Sequence, residues 1–241
     1  MSDGVRRADD SSDVRPHHPS QMNKSNAHPT DVANAGTLAE LVLAHTRHDR
    51  DLMPDPVVVA SDLGVPILEV PASRLAGARG LTSWHGGGYV IEIDDSLPEP
   101  ERQLVAGHEL GHVACKLWNV VPFNWERFAW LFAGALLVRA EWAADMWRRS
   151  EDISVIFAAL PHVPPTAVAL AIGEHGIANV AVTQWKDVRY TRARGAMPSA
   201  ALEAGMAATK TGQPTSRVGV RAWRLDDMPG RAAVVAVAST G

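Results

Sequence analysis

The run Leu104-Val105-Ala106-Gly107-His108-Glu109-Leu110-Gly111-His112-Val113 sets two imidazoles and a carboxylate inside an otherwise apolar stretch. The surrounding pattern predicts a helix from about Glu101 to Trp118. On a helix, residues four apart stand on the same face one turn apart, so His108 and His112 point the same way. Two imidazoles so placed reach one metal ion at about 2.0–2.1 Å from each nitrogen. Glu109 is displaced sideways and is not needed as a ligand. It is free to take a proton from a water beside the metal, which is the H-E-x-x-H arrangement of two ligands and a general base. Gly111, small and between the histidines, lets a neighbouring element approach closely.

A catalytic zinc site needs a third protein ligand and an open position. Glu126, at the start of the next predicted helix, is the best candidate, because a short connection folds it back over the first helix. Glu141, in Glu141-Trp142-Ala143-Ala144-Asp145, competes. On one continuous helix the two lie about 22 Å apart along the axis, so they cannot share an ion. Taken alone, either is a solvated helix glutamate. Cys115 follows His112 by one turn and is read as a small buried core residue in preference to a thiolate ligand.

The segment resembles the A-H-E-L-G-H stretch of ImmA/IrrE-type metallopeptidases. In that family the third ligand opens a pattern E-x-x-A-x-x-F-A-x-x-L-L. Here Glu126-Arg127-Phe128-Ala129-Trp130-Leu131-Phe132-Ala133-Gly134-Ala135-Leu136-Leu137 matches every fixed position. The likeness covers about residues 36 to 139. It departs at Arg139, where the family often has proline. The resemblance implies a zincin-like core, with His108, His112 and Glu126 as metal ligands and Glu109 as the catalytic acid/base. It implies a zinc-dependent endopeptidase hydrolysing peptide bonds, with a regulatory protein such as a helix-turn-helix repressor as substrate. The same ligand set also suits other divalent ions such as Mn²⁺. An oxyanion-stabilising group is expected from among Tyr89, His162, His175 and Tyr190. A carboxylate from Glu141 or Asp145 is expected to orient a ligand histidine through its other ring nitrogen.

Along the rest of the chain, residues 1–35 are polar and Pro-containing, and are expected to form a disordered tail. His17, His18 and His28 lie there as solvated residues. A first helix is expected from near Gly36 to about His48, and a second from Val57 to Leu63, opened by Pro56 and closed by Gly64. Val65–Val70 reads as a strand, 72–87 as loop, and Tyr89–Ile93 as a second strand. After the motif helix, one helix is expected from Trp125 to at least Val138, running on toward Trp147. Two short helices around Pro161–Pro165 follow, then a hairpin of Ala178–Trp185 and Val188–Arg194, a helix Pro198–Lys210, and strands Val218–Leu225 and Ala232–Ala238. The fold class is α+β. Residues 36–150 form the zincin-like domain with its small sheet, and 151–241 a C-terminal helical, then β-rich, region.

The 241 residues are 46% apolar, which supports a sizeable core. A net charge of −4 gives no electrostatic reason to expect nucleic acid or an anionic membrane. Residues Thr166–Glu174 carry almost no positive charge, so the pair of short helices is not expected to read DNA. Lys186, Arg189, Arg192 and Arg194 are read as a solvated basic face. The longest apolar run, Phe128–Val138, is too short to span a bilayer. One cysteine and no leader-like segment suggest a cytoplasmic protein. The competing functional class is a non-catalytic zinc-containing binding or sensor protein that contacts a transcriptional regulator. An intact Glu109 argues against it, because a purely structural site has no use for a base.

Overall fold

The computed structural model describes residues 29–47, 53–184, 189–193, 200–211, 213–217, 220–225 and 231–236. The first helix, α1, is Pro29–His45. It therefore begins well before Gly36, inside the stretch expected to be a disordered tail. The reason is that Asp31, Ala35, Leu38, Ala39 and Val42 continue one buried stripe at helical spacing. Residues 1–28, with the three early histidines, lie outside the described residues.

Helix α2, Pro56–Asp62, starts where Asp55 accepts a hydrogen bond from the Val57 amide, and Gly64 then turns the chain with φ 72°. Strand β1, Ile67–Val70, follows. The interval expected to be loop contains a 3-10 turn at Ala72–Leu75 and a second strand, β2, Gly80–His85. Strand β2 pairs antiparallel with β3, Gly88–Asp94, and β3 pairs parallel with β1, giving the order β1-β3-β2. Gly86 and Gly87 join β2 to β3 with φ of 57° and 99°. Such a two-residue Gly-Gly link is a hairpin signal, and it was present in the sequence beside Leu81-Thr82-Ser83-Trp84.

The motif helix, α3, is Glu99–Leu117, with Glu99 and Glu101 favourably placed at its positive end. It closes on Asn119, whose φ is 54°, with the Val120 amide donating to the Cys115 carbonyl at 2.9 Å. Helix α4, Trp125–Leu137, is capped by Asn124, whose side chain accepts from the Arg127 amide at 2.8 Å. The expected long helix breaks here: Val138 bends out of the helix, Arg139 is extended, and α5 begins anew at Ala140–Ser150. Arg139 has φ −63°, which is the value a proline ring would impose. The break therefore stands at the position where the family pattern often has proline, without the proline itself.

Helices α6 (Ile153–Ala159) and α7 (Pro165–Glu174) are followed by β4 (Val180–Gln184), β5 (Arg189–Ala193), α8 (Ala200–Thr211), β6 (Thr215–Arg217), β7 (Val220–Leu225) and β8 (Arg231–Ala236). These strands form a sheet of order β5-β4-β8-β7-β6. The edge strand β6 was not anticipated. The side chains of the basic stretch from Lys186 to Arg194 lie outside the described residues. The class is α+β, and among the described residues two large hydrophobic cores stand beside a small cluster of Val70, Leu75 and Ala78. One large core joins α1, α2, α3, α4 and the first sheet around Phe128, Phe132, Leu110 and Ile91. The other joins the end of α4 and α5–α7 to the second sheet around Ile156, Ile172 and Leu225. Burying a phenylalanine such as Phe128 or Phe132 contributes about 1.5–3 kcal/mol. Among the described residues, no helix is long and apolar enough to cross a membrane. The apolar run Phe128–Val138 is instead α4 and the residue after it, largely buried between the two cores.

Candidate metal centre

Helices α3 and α4 approach closely because glycine faces alanine at their contact. A Cβ on Gly111 would meet the Ala129 Cα and the Phe132 Cδ1 at 3.1 Å, and one on Gly107 would meet the Ala133 Cβ at 3.2 Å. Gly107 and Gly111 immediately precede His108 and His112 in sequence, and Ala129 lies one turn beyond Glu126. The closest part of the crossing therefore carries all three polar side chains to one place. The Asn124 cap fixes the register, holding Glu126 in the first turn of α4, where the positive helix end favours a carboxylate. The connecting loop is tied down as well, because the Phe123 amide donates to Asp31 Oδ1 of α1 at 3.2 Å, with Asp31 buried.

The resulting distances are regular. The His108 and His112 Nε2 atoms are 3.2 Å apart, His108 Nε2 is 3.4 Å from Glu126 Oε2, and His112 Nε2 is 3.4 Å from Glu126 Oε1. Ligand atoms arranged tetrahedrally at about 2.0–2.1 Å around a centre stand roughly 3.3 Å from one another. The donor set thus has the spacing and the chemistry to hold a divalent cation. Among the described residues, His108, His112 and Glu126 form a metal-competent cluster. His108 is nearly buried, whereas the Glu126 side chain is 46% exposed, so the cluster opens to solvent on the Glu126 side. Hydrogen bonds from His108 and then His112 hold the Glu126 carboxyl well below the usual carboxylate range. The carboxylate can therefore offer an anionic oxygen to a cation held there.

Glu109 is 7% exposed, and its Oε2 accepts a hydrogen bond from Thr82 Oγ1 of strand β2 at 2.8 Å. Sequence reasoning missed Thr82 because its strand was read as loop. The Trp130 ring lies against His108, with centroids 4.1 Å apart and planes at 41°. The expected carboxylate behind the ligand histidine is not found on His108, whose buried Nδ1 has no hydrogen-bond partner. Asp145 pairs with Arg148 and Arg149 on its own helix instead. Glu141 stands on α5, outside the cluster.

The oxyanion candidates scatter. His175 Nε2 bonds to the Val138 carbonyl at 2.7 Å. His162 lies near enough to Glu99, at the far end of α3, to help lower that carboxyl, after the larger effects of Gln103 and Arg102. Tyr89 meets Trp84 edge-on at 4.7 Å beside the hairpin turn. The Tyr190 side chain lies outside the described residues. Cys115 is a core residue, 2% exposed, and burial pushes its thiol up to about 12. Compared with known proteins, the chain matches no family model, and no curated protein matches it.

Proposed function

We propose that the chain is a zinc-dependent endopeptidase that hydrolyses peptide bonds in a regulatory protein. The carrying observation is the set of three ligand atoms at 3.2–3.4 Å spacing with an uncommitted-to-metal carboxylate, Glu109, next in the chain to His108. His108, His112 and Glu126 would hold the ion. A bound zinc ion supplies Lewis acidity toward water and toward a scissile carbonyl. Glu109 accepts the proton of the attacking water and returns it to the departing amine. Glu126, kept ionised by its two histidine partners, balances charge at the site. Trp130 restrains the His108 ring by packing, where a hydrogen-bonded carboxylate would otherwise do so.

The likeness of the two motif segments to ImmA/IrrE-type metallopeptidases supports this reading. It also makes a helix-turn-helix repressor the first substrate to test.

The test is metal content of the purified protein beside Glu126→Gln and Glu141→Gln variants. One zinc per chain, lost with Glu126→Gln and kept with Glu141→Gln, is expected. A native protein that takes up no zinc from a supplied buffer would sink the proposal. Cleavage is then sought with Glu109→Gln as the inactive control.

A further inference from the structure

Strand β2 faces α3 with two unusual positions. Gly80 and Thr82 are two residues apart, so they share one face of the strand. At Gly80 an added Cβ would stand 2.6 Å from Val105 Cγ1, 2.9 Å from Glu109 Cγ and 3.0 Å from Glu109 Oε1. The backbone at residue 80 has no positive φ, so the glycine is required for space alone. The Glu109 side chain lies in the room that the missing Cβ leaves. One step along the strand, Thr82 Oγ1 donates to Glu109 Oε2 at 2.8 Å, and its longer 3.3 Å approach to the Glu109 carbonyl is the weaker contact.

We propose that Gly80 and Thr82 form a cradle that positions Glu109. Gly80 admits the carboxylate against the strand, and Thr82 fixes its orientation. This rests on the peptidase reading above. Glu109 has three rotatable side-chain bonds, and a base must be held near its productive geometry to act efficiently. Its carboxylate is almost buried, and a buried carboxylate needs a donor. Thr82 supplies that donor to Oε2, while Oε1 lies against the backbone at Gly80. As a β-branched residue on a strand, Thr82 has few rotamers, so its hydroxyl is itself well placed. Thr82 touches no ligand atom in this arrangement. It acts through Glu109 and is a positioning residue.

The test uses the full zinc-loaded chain and three variants: Thr82→Val, which keeps the shape and removes the hydroxyl, Thr82→Ser, which restores it, and Gly80→Ala. Turnover is read with a fluorogenic peptide selected by the native protein from a randomised library. Thr82→Val and Gly80→Ala are expected to lower kcat on the order of 10-fold to 100-fold with KM little changed. Thr82→Ser should stay close to native, and all three should keep the native zinc content. A second readout is independent of turnover. Urea midpoints of the metal-free Thr82→Val and Glu109→Ala variants and of the double variant should be non-additive. Native kcat in Thr82→Val, or additive midpoints, would overturn the cradle. Coupled midpoints together with a zinc-loaded native protein that cleaves no library peptide would overturn the peptidase reading and the positioning role with it. The Thr82–Glu109 contact itself would survive that result.

Discussion

Gly111 of α3 and the backbone of Ala129 in α4 pack so tightly that a Cβ at residue 111 would lie 3.1 Å from the Ala129 Cα and 3.3 Å from its carbonyl oxygen. This spacing brings Glu126 onto the two histidines, since Glu126 and Ala129 are one turn apart on the same helix. A neighbour made of backbone cannot swing aside as a side chain can. Gly111→Val is therefore expected to push α4 outward, cost about 1–3 kcal/mol and reduce bound zinc. Urea midpoints and metal content measure the two effects. Gly36→Ala is the contrast, because Gly36 lies within α1 with nothing within 4 Å of an added Cβ. There, helix propensity alone should stabilise by up to about 1 kcal/mol. A Gly111→Val protein as stable and as metal-rich as the native one would show that the contact does not set the site.

Trp130 packs against His108, whose buried Nδ1 has no hydrogen-bond partner. Trp130→Ala is expected to weaken zinc affinity by roughly tenfold, the lower end of what outer partners of metal ligands contribute. Competition against a chromophoric chelator measures it. Trp130→Phe retains an aromatic face and should recover most of the loss.

Cys115 keeps its proton to about pH 12 because it is buried in the core. In the native protein a thiol reagent at pH 8 should react only at the rate of unfolding, and quickly once denaturant is added. Linkage gives the sign. Above the ordinary value of 9.0 the unfolded thiol loses its proton while the native one keeps it, so native stability falls as pH rises through this window. Cys115→Ala should remove that part of the alkaline decline, which is read from urea midpoints between pH 8 and 10.

Arg127 Nη2 contacts Glu174 Oε1 at 3.1 Å, joining α4 to the end of α7 with both side chains less than one-fifth exposed. Burial lowers the Arg127 pKa, and Glu174 opposes this by favouring the charge. A double-mutant cycle of Arg127→Met and Glu174→Gln should give a coupling of about 1–3 kcal/mol. The exposed Arg148–Asp145 pair on α5 should give no more than about 0.5 kcal/mol. Equal couplings at the two pairs would mean that burial adds nothing to the α4–α7 link.

The spacing of His108, Glu109 and His112, the Asn124 cap before Glu126, and the Pro56 and Gly64 bounds of α2 were legible because each is a local rule. Helical period and capping act within a few residues, and the structure keeps all of them. Residues 29–35 join α1 although their composition is polar overall, because Asp31, Val32 and Ala35 turn one face to the core. Strand β2 was misjudged because Leu81 to His85 is weakly patterned and owes its place to pairing with β3 across Gly86-Gly87. The break at Val138 and Arg139 has no proline to announce it, and it comes from the need to turn α5 into the second core. Trp130 on His108 and Thr82 on Glu109 are contacts between separate elements. They depend on how closely α3 meets α4 and β2, a distance set by side-chain volumes from distant parts of the chain. The sequence alone determined which residues could bind a metal and act as a base, because that chemistry resides in residue types at helical spacing. The motif pattern had already favoured Glu126 over Glu141; only the tertiary structure decided how closely Glu126 meets the histidines and what holds Glu109, because both are matters of packing.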